Sequence, residues 1–163
     1  MVPDGINKVN RSQFLTFLDT TPIAEAPTWA LLGVGITEYG IAYNPQVETE
    51  KWIIEDNART IHQSNQKQAS VSQKIYKGDP CFEFVEKGRD VLNYKTHVLD
   101  IDRWNGTGDT SVSYPAVMSD IIITITNYMG EDASIEYDLY YDGDGQKGTV
   151  TFNGNVPTFV PTE

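Results

Sequence analysis

The chain predicts a mainly β protein with one flanking α-helix and a long protruding hairpin, and three observations carry that prediction. Apolar and polar residues alternate with period two through much of the sequence. One stretch, 44–76, is rich in β-branched residues yet largely polar, and a single segment, opening at Gly78-Asp79-Pro80, has helical spacing. At 163 residues and 39% hydrophobic, the chain holds enough apolar surface for one domain with a core that needs neither disulfides nor metals.

Taken in order, residues 1–28 combine Phe14, Leu15, Phe17 and Leu18 with Pro3, Gly5, Pro22 and Pro27, which predicts an arm that docks on something rather than a regular element. Residues 29–37 predict a strand, with Gly33 and Gly35 placed where a side chain would crowd a neighbour or where the strand bends. The stretch 44–76 predicts two extended arms around a turn at Glu55-Asp56-Asn57-Ala58. Between Arg59 and Lys74 nearly every side chain is polar, so a solvated loop competes with a strand pair whose open edges invite another chain. Asp79 and Pro80 then start a helix over 79–92, with Cys81, Phe84, Val85, Gly88 and Leu92 on its apolar face. Residues 94–102, 116–128, 134–142 and 149–153 predict strands, with Asp142-Gly143-Asp144-Gly145-Gln146-Lys147-Gly148 closing a hairpin between the last two. The tail, 154–163, is too rich in proline for a helix. No linker or repeat divides the chain.

Charge and motifs exclude more than they assign. A net charge of −11 argues against a grip on nucleic acid, which depends on Lys and Arg releasing counterions from phosphates. From Trp104 to Gln146 there are eight Asp or Glu residues and no Lys, Arg or His, so that stretch would repel DNA. A lone cysteine, Cys81, rules out an intrachain disulfide and reads as a small buried hydrophobe. Together with the polar opening Met1-Val2-Pro3-Asp4-Gly5, it leads to the expectation of a reducing cytoplasm. No apolar run approaches the ~20 residues of a membrane-spanning helix. Asp142-Gly143-Asp144-Gly145 opens like a calcium loop, but Gln146, Lys147 and Asn153 stand where that loop needs an acid or Asn, Gly and Glu. His62 and His97 have no partner at metal-ligand spacing, and no histidine stands beside a candidate nucleophile. Catalytic residues, cofactor and metal are therefore all expected to be none.

Three blocks carry a family resemblance. They are Pro27-Thr28-Trp29-Ala30-Leu31-Leu32-Gly33-Val34-Gly35-Ile36-Thr37, then Tyr43-Asn44-Pro45-Gln46-Val47-Glu48-Thr49-Glu50, then Lys77-Gly78-Asp79-Pro80-Cys81-Phe82-Glu83-Phe84. Their order resembles the tail tube (major tail) proteins of long-tailed bacteriophages or prophages. Those proteins read Pro-x-Trp-x-Leu-Ile-Gly-x-Gly, Phe-Asn-Pro-x-x-Glu and Asp-Pro-x-Phe-x-Phe at the same places. Gly148-Thr149-Val150-Thr151-Phe152 followed by Pro157 is similar to the family's C-terminal pattern, so the likeness runs from about residue 11 to 158. The loop 105–113 is short and polar where the family varies, and carries no function.

The resemblance implies a β-sandwich or barrel with one flanking helix, built into hexameric rings that stack into a tail tube. Such a tube passes genomic DNA to the host without binding it specifically. Partners would be further copies, tape-measure and other tail proteins, with no membrane insertion by this chain. Its location would be the virion tail, and the bacterial host cytoplasm during assembly. Glu48, Glu50, Glu55 and Asp56 become candidates for the lumen or ring rim, where like charge keeps DNA sliding. Phe14, Phe17, Gln63, Gln66, Gln68, Gln73 and Phe159 become candidates for subunit contacts. The alternative is a monomeric β-sandwich binding module for carbohydrate, presenting Trp52, Trp104, Tyr128 and Tyr140.

Overall fold

The computed structural model describes residues 5–163, and its architecture is mainly β. Residues 1–4 of the expected arm, Pro3 among them, lie outside the described residues. The strands are β1 (Phe14–Asp19), β2 (Trp29–Leu31), β3 (Pro45–Glu50), β4 (Arg59–Asn65) and β5 (Gln68–Lys74). The helix α1 (Pro80–Lys87) precedes β6 (Tyr94–Asp102), β7 (Tyr114–Gly130), β8 (Ser134–Asn153) and β9 (Val156–Pro161). Seven strands form one antiparallel sheet in the order β2-β1-β6-β7-β8-β5, with β9 paired to the second half of β8. Bridges from Ile36 to Gln73 and from Ala42 to Gln68 carry the chain after β2 across to β5, so the sheet nearly closes into a barrel.

Alternation along the strands separates two cores on opposite faces of the sheet. Leu18 and Val98 face inward with Val71, Ile121, Ile123, Tyr137 and Leu139, where Phe84 and Val85 of α1 complete the packing. Their neighbours Phe17 and Leu99 face the other way, with Ile101, Ala116 and Val150, and Phe152 and Phe159 pack against that second cluster. Fully burying an aliphatic or Phe side chain contributes about 1.5–3 kcal/mol, so both clusters matter to stability.

The structure corrects the sequence reading in several places. The expected arm over 1–28 contains β1, which lies between β2 and β6. Phe14-Leu15-Thr16-Phe17-Leu18 is apolar on both faces because both faces of that strand are covered. Phe17, expected as a subunit contact, is therefore part of the core. The strand expected over 29–37 stops at Leu31, and the chain turns through Gly35 at φ +74°. The helix expected over 79–92 ends at Lys87 with Gly88 as its C-cap, and the Tyr94 ring, stacked on Phe84 at 5.0 Å, occupies the space where a side chain on Gly88 would lie. Leu92, expected on the buried face, is exposed.

The hairpin expected at 142–148 is instead an irregularity within one continuous strand. While β7 advances from Met118 to Asp120, its partner on β8 moves from Gln146 to Asp142, so Gly143, Asp144 and Gly145 bulge out of the ladder. Gly143 takes φ +77°, which the turn-like composition supplied. The tail is strand β9, whose Pro157 and Pro161 sit at a sheet edge.

Candidate functional site

The stretch 44–76 divides into two parts with opposite surroundings. β5 belongs to the barrel, paired with β8 from Gln68 opposite Tyr140 to Lys74 opposite Ser134. Its Ala69, Val71 and Gln73 are buried and alternate with exposed Ser70, Ser72 and Lys74. β3 and β4 form a separate two-stranded ribbon, and every residue of both strands is exposed. The expected protruding hairpin is therefore 45–65 and not 44–76.

At the root of this ribbon, Asn44 takes φ +43° and its side-chain amide donates to the Gln66 carbonyl at 3.1 Å. The Lys67 ammonium stands 5.1 Å over the Tyr43 ring beside it. These contacts turn the chain out of the barrel and back again.

Register decides what each face of the ribbon presents. Directly paired residues share a face, so Glu48 lies with Ile61 and Glu50 with Arg59, while Val47 lies with His62 and Thr49 with Thr60. One face is thus acidic, and the other carries no carboxylate. Gln63 donates to Glu48 on the acidic face. His62 bonds locally, with Nε2 2.8 Å from Asn65 Oδ1 and 3.1 Å from the Ser64 carbonyl.

The tip departs from the polar character of the arms. Ile53 is fully exposed and Ile54 84% exposed, with Trp52 half in water beside them. Arg59 holds this tip in shape: its guanidinium pairs with Glu55 and lies 4.2 Å over the Trp52 ring. Glu55 is half-buried by that pairing, whereas Glu48, Glu50 and Asp56 remain exposed and make no ion pair among the described residues. The apolar triplet is the feature sequence reasoning missed. Its signal was present, since Trp52-Ile53-Ile54 interrupts an otherwise polar hairpin between Lys51 and Glu55.

No family model and no curated protein matches the chain.

The other candidate residues fall into three groups. Phe14, Gln63 and Gln66 are exposed, and the last two lie on or beside the ribbon. Gln68 and Phe159 are half-buried in the sheet, Phe159 against the second core. Phe17 and Gln73 are buried: Phe17 belongs to the second core and reaches the surface only at the floor of a groove there, while Gln73 bonds to Asp79, Tyr137 and the Val34 carbonyl, which removes it as a subunit contact.

The four aromatics of the binding-module alternative do not converge on a common surface. Trp52 is on the ribbon tip, Trp104 is in a short turn after β6, Tyr128 donates to Glu86, and Tyr140 is on β8. None of them lines any of the five main surface grooves. Among the described residues no His, Cys, Asp or Glu cluster has the arrangement of a metal site, and no helix is long and apolar enough to cross a membrane.

Proposed function

We propose that this chain is a subunit of a bacteriophage-type tail tube, assembling as stacked hexameric rings around a lumen through which DNA passes. The observation that carries the reading is the β3–β4 ribbon. It has the length and hydrogen-bonding edges of a sheet but buries neither face in its own subunit. Two-stranded ribbons are marginal in isolation, so pairing with ribbons of neighbouring copies gives it a reason to exist. A closed ring of such ribbons would place one face of each toward the lumen. The face bearing Glu48 and Glu50 suits that role, because its one cation, Arg59, is paired with Glu55 and the remaining negative charge repels phosphates. In this reading Glu55 braces the tip through Arg59 and does not line the lumen.

Negative-stain electron microscopy of the concentrated protein, in low and high salt because the −11 charge opposes assembly, tests the reading. Rings or tubes with a central hole are expected. Replacing residues 46–64 with a short glycine linker should leave the barrel folded and abolish tubes. A wider deletion into 68–74 would remove β5 and unfold the core. Tubes formed by the ribbonless variant would refute the assignment.

A further inference from the structure

We infer that the apolar ribbon tip of one copy seats in an aromatic groove on the next copy. The inference rests on the reading of the chain as a ring subunit and adds to it a specific contact. Ile53 at 102% and Ile54 at 84% exposure are the knob. Adjacent exposed aliphatics at the end of a ribbon leave apolar area in water at about 25 cal/mol per Å², a standing drive to be covered. Those exposures also show that the tip does not fold back into a groove of its own chain.

The receiving surface is an open cavity of about 810 Å³ on the second core. Phe17, Trp29, Tyr114 and Phe152 line it with Val112, and Arg103 stands at its edge. Charge singles it out from the other grooves. Two carboxylates without ion pairs, Glu50 and Asp56, flank the tip against one ammonium, Lys51, while Glu55 and Arg59 neutralise each other. Each of the other four main grooves has an Asp or Glu in its lining, namely Asp120 and Asp142, Asp100 and Asp102, or Glu38. The groove at Arg103 has a cation and no acid. The other linings also hold cations, Lys87 and Lys95 in one and Arg11 in the other three, so their acids leave them neutral or net negative. An apolar tip with a net negative rim is drawn best to the groove with a cation and no acid. Knob and groove are different surfaces of one chain, so the contact is head-to-tail and propagates from copy to copy.

Cysteine cross-linking of the full chain tests this. In the double variant Ile53→Cys, Val112→Cys, oxidation of the concentrated protein should give a ladder of covalent oligomers beyond the dimer on a non-reducing gel. Ile53→Cys alone should stop at dimers. Ile53→Cys paired with Thr21→Cys, in the groove beside α1, should also stop at dimers. Adding Arg103→Glu to the productive pair should cut the ladder several-fold, and Glu50→Lys with Asp56→Lys should restore it. All these positions lie outside the core clusters. Absence of a ladder from the productive pair, or an equal ladder from the Thr21 control, overturns the inference. A ladder without tubes in the microscope sustains the contact and sinks the tube; tubes without a ladder do the reverse.

Discussion

The Gln73 amide donates to the Asp79 carboxylate across 2.6 Å, with both side chains out of water. The same nitrogen donates to the Val34 carbonyl at 2.9 Å, and Gln73 Oε1 accepts from the Tyr137 hydroxyl at 2.9 Å. Asp79 in turn caps α1, its other oxygen accepting from the Cys81 backbone N–H. One buried amide therefore ties β5, the turn after β2, β8 and the start of the helix together. This ties the barrel's closing strand to its neighbours in a fixed register.

Gln73→Leu keeps most of the volume and removes both ends of that network. The Tyr137 hydroxyl and one Asp79 oxygen would be left buried without partners, at about 1–3 kcal/mol each. Urea unfolding should show a lower midpoint with an unchanged slope, corresponding to a loss of about 3 kcal/mol. A midpoint like that of the parent would show that the network does not stabilise the fold.

Cys81 is fully buried, and burial, helped by nearby Asp79, pushes its thiol up to about 12. The reactive species is the thiolate, so the native protein should not react with a disulfide reagent at neutral pH. Labelling followed spectrophotometrically should appear only as urea unfolds the chain, tracking the loss of circular dichroism. Rapid labelling of the folded protein would contradict the buried position.

Gly35 takes φ +74°, and a Cβ there would run into the Lys74 backbone carbonyl. The sequence reading of this glycine as a point of close approach holds in substance, although the neighbour is β5 and the local structure is a turn. Gly33, expected to act the same way, has open space around its missing Cβ. Gly35→Ala should therefore destabilise by more than the ~1 kcal/mol of a left-handed backbone alone. Gly33→Ala should be close to neutral in the same thermal melts. Equal effects from the two would mean that β5 yields to the added methyl.

What the sequence made legible was local, and what it hid was long-range pairing. The cap at Asp79-Pro80 and the alternation from Ile135 to Tyr141 depend on neighbours a few residues away, and both stand in the structure. β1 escaped notice because a strand covered on both faces loses the alternation that marks strands. The Gly-rich segment after Asp142 mimicked a turn because bulge and turn make the same demand for positive φ. Only the register of β7 distinguishes the two, and register is not local. For the ribbon, the polar arms were legible, but the face shared by Glu48 and Glu50 depended on how β3 meets β4.

Asp100 makes the fold's stability depend on pH. Burial raises its carboxyl above the ordinary range, against the Thr16 and Tyr141 hydroxyls that each donate to it at 2.8 Å. Burial, reinforced by Asp100, also pushes the Tyr141 hydroxyl far up, so it stays protonated as a donor. Below the ordinary carboxylate value of 3.8 the group is protonated in both folded and unfolded chains and incurs no penalty. As pH rises, the unfolded chain releases its proton first, so stability falls until the folded group ionises too. The penalty then persists to neutral pH. Asp100→Asn keeps an oxygen for Thr16 and cannot ionise. Urea midpoints of variant and parent should converge in acid and separate as pH climbs through and above 3.8, with the variant the more stable at neutrality. A constant difference across that range would place the pH dependence elsewhere in the molecule.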